Sequence, residues 1–252
     1  MPYSERYVAF IDILGFSAKV MSTDRDGDSS QADMLAATLK KTASREESLD
    51  DLIADDFHFQ SFSDSIVASS PANPAGLAYL MYAVWELAYN LLSSGLLVRG
   101  SIAKGKLHHT EDVMFGPAFL EAYRNEREIA KYPRIVLTRA VHKDALANTR
   151  SDAPPIVLSD DGPPYIDILH WIAELNLVTK GPRRINQRQV KIALRWHKSL
   201  QQQLDESIYE PRHFEKLRWF AIYWNGKVGF TPGAPVPPLV LPNSRYLSPS
   251  AT

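Results

Sequence analysis

The sequence predicts an α+β fold, a sandwich of ferredoxin-like type followed by a C-terminal helical extension. Three observations predict it. The chain opens on an apolar, β-rich run, Arg6–Asp12 (RYVAFID), of the kind a central strand buried on both faces requires. Two short strand signals, Phe57–Phe62 and Ser65–Ser69, sit around Ser63-Asp64 as a hairpin, with helical segments on either side. After about residue 150 the alternation gives way to Pro/Asp-rich chain and then to helix.

The elements follow in order. The first strand ends at Asp12, and Leu14–Ser17, which contains Gly15, turns sharply. Ser22–Ser30 reads as a polar loop, Gln31–Arg45 as a helix, and the chain through Asp56 as acidic loop. Pro71–Pro74 breaks the chain after the hairpin, and a strong helix then runs to Gly95. Leu96–Lys106 is a strand, with a short return strand within His108–Phe115. Pro117 opens a further helix, where proline is tolerated, and Arg134–Leu137 is a strand. Helices are expected at Gln187–Ser207 and Pro211–Tyr223. The domain reading is therefore 1–150 as the main domain, 151–231 as a helical extension packed on it, and 232–252 as a loose Pro/Ser-rich tail.

Bulk properties exclude several classes of function. The formal net charge of -1 gives no general pull toward nucleic acid or an anionic membrane. A compact polyanion would need local cations or metal. There are no cysteines, so disulfides, thiolate metal sites and a cysteine nucleophile are ruled out. The first residues lack the pattern of a signal peptide. The longest apolar stretch, Gly76–Leu92, carries Glu86 and Asn90 and falls short of a membrane span. The expected location is cytoplasmic.

Two carboxylates draw attention. Asp12 ends the first strand and Asp64 sits in the hairpin, and adjacent strands of one sheet bring such groups together. Side by side they repel unless a divalent cation lies between them. The turn after Asp12 would offer backbone N–H groups to a phosphate. The bland reading stays open, because an aspartate at a strand end is often a cap or turn residue.

The motifs around these residues carry a resemblance. FIDILGFS (Phe10–Ser17) resembles the first-strand signature of class III adenylate and guanylate cyclases. FSDSIV (Phe62–Val67) resembles their second metal-binding hairpin, and RGSIAKG (Arg99–Gly105) their Arg-x-Gly-Ile-x-x-Gly strand, with Ser101 replacing a glycine. FGPAFLEAYR (Phe115–Arg124) is similar to a further family segment at Gly116, Ala122 and Arg124. The resemblance spans about residues 6–138 and implies a cyclase homology domain. It implies that Asp12 and Asp64 hold two Mg²⁺ or Mn²⁺ ions with the Ile13 carbonyl, and that Leu14, Gly15, Phe16 and Ser17 bind phosphates. It also implies that Arg124, supplied by the opposite protomer of a homodimer, stabilises charge at the α-phosphorus.

The sequence departs from the family where the base is read. The selector four residues before Asp64 is Gln60, its partner three before Gly116 is Val113, and Leu120 replaces an asparagine. The purine-reading pair is thus missing. Gln60 can donate and accept, so it suits either uracil or cytosine. The combination resembles the pyrimidine cyclases of bacterial Pycsar anti-phage systems, which share the GPAFLEAY segment and a helix like EKLRWFAIYWNGKV (Glu215–Val228). That resemblance implies UTP as substrate and cyclic UMP as product, with a separate effector protein activated by the product during phage infection. The alternatives are a cytidylate cyclase and a non-catalytic, nucleotide-binding cyclase-like domain.

Other polar residues take structural readings. Arg124 can equally be a solvent-facing partner of Glu121 or Glu128. Arg99 is expected to be an ion-pair partner, and Lys104, Lys106 and the basic loop Lys180–Arg184 to be solvated. His108-His109 lack a third metal ligand at a recognisable spacing and read as loop histidines. Tyr82, Trp85 and Tyr89 share a helix face and read as core or dimer contact.

Overall fold

The computed structural model describes residues 3–17, 20–21, 33, 36–40, 56–148, 153–176, 186–229 and 233–242. The chain divides into two compact units, Met1–Ile168 and Leu169–Thr252.

The first unit is built on one mixed sheet. Strand β1 (Tyr3–Leu14) pairs antiparallel with both β3 (Ser65–Pro71) and β4 (Leu97–His109), and β2 (His58–Phe62) pairs antiparallel with β3. The order β2-β3-β1-β4 is the ferredoxin-like arrangement that the sequence predicts. The sheet continues past residue 150. β6 (Ile135–Leu137) lies parallel to β4, and β8 (Pro164–Ile166) and β7 (Ile156–Leu158) follow antiparallel. A short β5 (Met114–Phe115) returns along the end of β4.

β1 is central because apolar residues fill both of its faces over Tyr7–Ile11. Val8, Ala9 and Ile11 are fully enclosed, which needs cover on both sides of the sheet. Helix α1 (Pro74–Ser93) packs on β3, β1 and β4. Its start is set by Asn73, whose side chain accepts the Gly76 N–H at 2.8 Å, and by Pro74 in the first turn. Ser70 donates to the Gly76 carbonyl at 2.8 Å, so α1 covers the face that carries Tyr7, Ala9 and Ile11. Helix α3 (Arg139–Ala147) shares that face, where Asp144 takes hydrogen bonds from Tyr7 and Lys104. Lys104, expected to be solvated, is thus an ion-pair partner.

Helix α2 (Pro117–Glu128) covers the opposite face. Ala118 and Ala122 join Val8, Phe10, Val67, Ala103 and Leu107 in one apolar cluster. Small residues let the helix approach closely, and Gly116 permits the entry. Its φ is +151°, and an added Cβ would stand 2.5 Å from the Lys106 carbonyl oxygen.

The second unit is helical. Helices α4 (His170–Asn176), α5 (Gln187–Glu206) and α6 (Pro211–Val228) bury Trp171, Trp196, Leu200, Phe220 and Trp224. Residues 233–242 fall in the stretch expected to be a loose tail, yet they are held in place. Asn176 bonds the Val236 main chain in both directions, and Asn225 does the same for Leu239. Among the described residues, no helix is long and apolar enough to cross a membrane. The Ser22–Ser30 loop and Lys180–Arg184 lie outside the described residues, and of Gln31–Arg45 the described part, 33 and 36–40, is helical.

Candidate functional site

Strand register assembles the candidate site. Asp12 lies opposite Ser65 on β3 and opposite Arg99 on β4. Asp64, the residue before Ser65, accepts the Ile13 N–H through its carbonyl at 2.8 Å. The two carboxylate-bearing residues therefore meet at one end of the sheet, both half-buried. The hairpin turn that carries Asp64 is tight, with Ser63 at φ 55°. β1 ends at Leu14, Gly15 turns the chain at φ +78°, and Phe16 and Ser17 enter helix. Such a strand–glycine–helix step leaves the first helical N–H groups without intrahelical partners, one turn after Asp12 along the chain.

Electrostatics at Asp12 are shared. Arg99 Nε donates to Asp12 Oδ2 at 2.9 Å and lies 2.7 Å from Glu126 Oε1 on α2. One guanidinium thus serves two carboxylates, and Arg99 is an ion-pair partner as the sequence suggests. Asp12, Asp64 and a backbone carbonyl are hard oxygen donors, suited to Mg²⁺ or Mn²⁺. Among the described residues no group of three or more His, Cys, Asp or Glu side chains is placed to hold a metal ion.

Gln60 lies on the same sheet face as Asp12, because Phe10 and Gln60 both oppose Val67. Its Nε2 donates to the Thr110 carbonyl at 2.9 Å and the Glu111 carbonyl at 2.6 Å. Thr110 in turn donates its N–H to the Val113 carbonyl at 3.0 Å. Gln60 and Val113 are therefore joined through one turn, although β2 and β5 are not neighbours. Val113 is exposed beside them.

Arg124 stands apart from this group. Glu126 is buried toward the sheet, and Arg124, two residues earlier on α2, is exposed on another side. Leu120 is 63% exposed next to it.

Residues missed in the sequence complete the neighbourhood. Arg6, buried at 4% exposure, donates through Nε to Ser69 Oγ at 3.0 Å and pairs with Asp56 at 2.6 Å. Ser69 Oγ lies 2.8 Å from His109 Nδ1. His109 is thus no loop histidine: it ends β4, 4% exposed, with its ring 5.1 Å from that of His58. Burial, then His58 and Arg6, lower its pKa to about 4. A buried residue bonded across forty positions of sequence leaves no local signal.

A scan against protein-family models finds no match, and neither does a comparison with curated proteins. Solved structures give partial likenesses. The guanylyl cyclase Cya2 is 10% identical, with 65% of this chain and 90% of that one covered and a TM-score of 0.44. The catalytic core of a rhodopsin-guanylyl cyclase with converted specificity, in complex with ATPαS, is 12% identical over 66% and 96%, with a TM-score of 0.45. An adenylate/guanylate cyclase/hydrolase from Silicibacter pomeroyi is 14% identical over 65% and 95%, with a TM-score of 0.40. At such values the likeness says nothing about substrate or activity.

Proposed function

We propose that the protein is a nucleotide cyclase that converts UTP to 3′,5′-cyclic UMP and pyrophosphate. The observation that carries this reading is the pairing of β1 with β3, which joins Asp12 and Asp64 beside a glycine turn. Asp12 and Asp64, with the Ile13 carbonyl, are the residues that would hold two Mg²⁺ or Mn²⁺ ions. Bound there, such ions lower the pKa of a ribose 3′-hydroxyl and neutralise a triphosphate.

The chain's own groups do the rest. Backbone N–H groups of Leu14, Gly15, Phe16 and Ser17 orient phosphate oxygens, and Gln60 and Val113 flank the base. The 3′-oxygen forms a bond to the α-phosphorus, the bond to the bridging oxygen breaks, pyrophosphate leaves, and the hydroxyl proton passes to solvent. Arg124 stabilises the charge that develops at the α-phosphorus. Because α2 turns Arg124 away from the Asp12 side of its own chain, this role fits a homodimer in which each copy completes the other's site.

The uracil preference rests on the resemblance to Pycsar pyrimidine cyclases, as does a role in anti-phage signalling through a separate effector. Leu120, in place of the family's asparagine, favours a second reading, a cyclase-like domain that binds nucleotide without turnover. Incubation with each of the four NTPs and Mn²⁺, followed by mass analysis, decides among these. Cyclic UMP as the main product supports the proposal. Cyclic CMP moves the assignment to a cytidylate cyclase, and binding without any cyclic product establishes the second reading.

A further inference from the structure

Gln60 is not free to rotate between its two hydrogen-bonding patterns. Its side-chain amide nitrogen lies within hydrogen-bond distance of two carbonyl oxygens, those of Thr110 and Glu111, at 2.9 and 2.6 Å. An amide oxygen in that place would face two acceptors, so the orientation is determined by chemistry. What remains for a ligand is the Oε1 atom, an acceptor.

The turn that imposes this orientation is itself anchored. Thr110 directly follows His109, whose Nδ1 lies 2.8 Å from Ser69 Oγ. Ser69 Oγ also accepts from Arg6 Nε at 3.0 Å, so one hydroxyl ties the guanidinium to the imidazole. Arg6 is held in turn by Asp56 and by the Ser69 carbonyl at 3.3 Å. The chain Arg6–Ser69–His109 crosses β1, β3 and β4 and ends next to the two carbonyls that grip Gln60. Each residue in it is almost wholly enclosed.

We propose that Arg6, Ser69 and His109 are positioning residues for base selection, which fix Gln60 as a hydrogen-bond acceptor and so require an N–H donor on the base. This rests on the cyclase reading with Gln60 beside the base. With uracil the donor is N3–H, not the O4 side; with cytosine it is the 4-amino group. A buried positioning chain of this kind acts on recognition rather than on the reacting atoms.

The test uses the full chain with His109→Leu, His109→Asn and Ser69→Ala. His109→Asn keeps a side chain that can donate to or accept from Ser69 Oγ; the other two break the chain. Two quantities are read: hydrogen exchange of the Gln60 side-chain amide in ¹⁵N-glutamine-labelled protein, and kcat and KM for each NTP. His109→Leu and Ser69→Ala are expected to speed that exchange about tenfold and raise KM for the preferred NTP about tenfold, with kcat within about threefold. His109→Asn should stay near the parent in both. If His109→Leu fails to fold by circular dichroism, Ser69→Ala carries the test. Unchanged exchange in the folded variants overturns the proposal, and so does a fall in kcat at constant KM. If the parent turns over no NTP, the cyclase reading fails, and the exchange data alone decide whether this chain positions Gln60.

Discussion

Asp12 and Glu126 share one guanidinium: Arg99 Nε lies 2.9 Å from the first carboxylate and 2.7 Å from the second. Glu126 is almost fully buried, whereas Asp12 is open on one side. In the proposed reading, where Asp12 takes a cation, Glu126 is a second acceptor that competes for the same guanidinium. Replacing Glu126 with Gln should place the guanidinium wholly on Asp12. The expected result is an Mn²⁺ half-saturation raised about three- to tenfold in a cyclase assay. An unchanged metal requirement in a folded Glu126→Gln protein would show that Arg99 does not modulate Asp12.

The carboxylates themselves carry a sharper expectation. Asp12→Asn and Asp64→Asn should each lower kcat by at least about 10²-fold, because the transferring phosphoryl group loses a charge clamp. Neither change removes much packing, because Asn is close to Asp in size, so both variants should still fold. Near-parental turnover in both variants, with a normal melting curve, removes these residues from the site.

The elements that reach the core were the ones legible in the sequence. β1 shows as a continuous apolar run, α1 as a long apolar helix between Pro74 and Gly95, and the hairpin as two short runs around Ser63-Asp64. Short elements with little buried surface were not. α3 buries only Val141, and β7 and β8 are three residues each within Pro/Asp-rich chain. Segment 233–242 is held by side-chain amides of Asn176, Gln201 and Asn225, which follow no period. Within the candidate site, Asp12, Asp64 and Gln60 stood out through motif likeness. The Arg99–Glu126 pair and the Arg6–Ser69–His109 chain did not, since each is made by strands and helices that meet only in the folded sheet.

Gly116 supplies a prediction about α2. Its φ of +151° and the 2.5 Å gap between an added Cβ and the Lys106 carbonyl oxygen leave no room for a side chain. The clash is with backbone, which cannot swing away. Gly116→Ala should cost about 1–3 kcal/mol of unfolding free energy in urea and shift the helix that bears Arg124. A melt and activity equal to the parent would mean that the β5–α2 junction relaxes freely.

His109 makes stability depend on pH in a defined window. In the unfolded chain it binds a proton near the ordinary value of 6.5, whereas burial, His58 and Arg6 hold the folded value at about 4. The unfolded chain therefore carries more protons between those values, and acid favours unfolding there. Stability should fall as pH drops from about 6.5 to about 4, by up to about 3 kcal/mol at about 1.4 kcal/mol per unit. His58, also lowered, adds in the same direction. Asp161 does not enter this window, because Arg134 holds its folded pKa at about 2 and its contribution is lost only below the ordinary carboxylate range. Urea unfolding at pH 7 and pH 4.5 should show the loss, and His109→Asn should remove most of it. An equal slope in the two proteins would exclude His109 as the source.

Site sharing yields the most specific outcome. Arg124 is exposed on α2, while Asp12 faces the other side of that helix through Arg99 and Glu126. If the arginine acts in a partner's site, Asp12→Ala and Arg124→Ala proteins are each inactive alone but complementary together. In a mixed dimer, one site combines both lesions and the other has both intact groups. Random exchange at equal concentrations makes half of the dimers mixed, and half of their sites are whole, so activity should recover to about a quarter of the parent's. The assay requires proof of exchange, for which differently tagged copies recovered together suffice. Recovery near that value ties Arg124 to the partner's site. Confirmed exchange with no recovery places Arg124 outside catalysis or within its own chain's site, and a double variant carrying both changes, mixed with the parent, then tells whether mixed dimers can turn over at all.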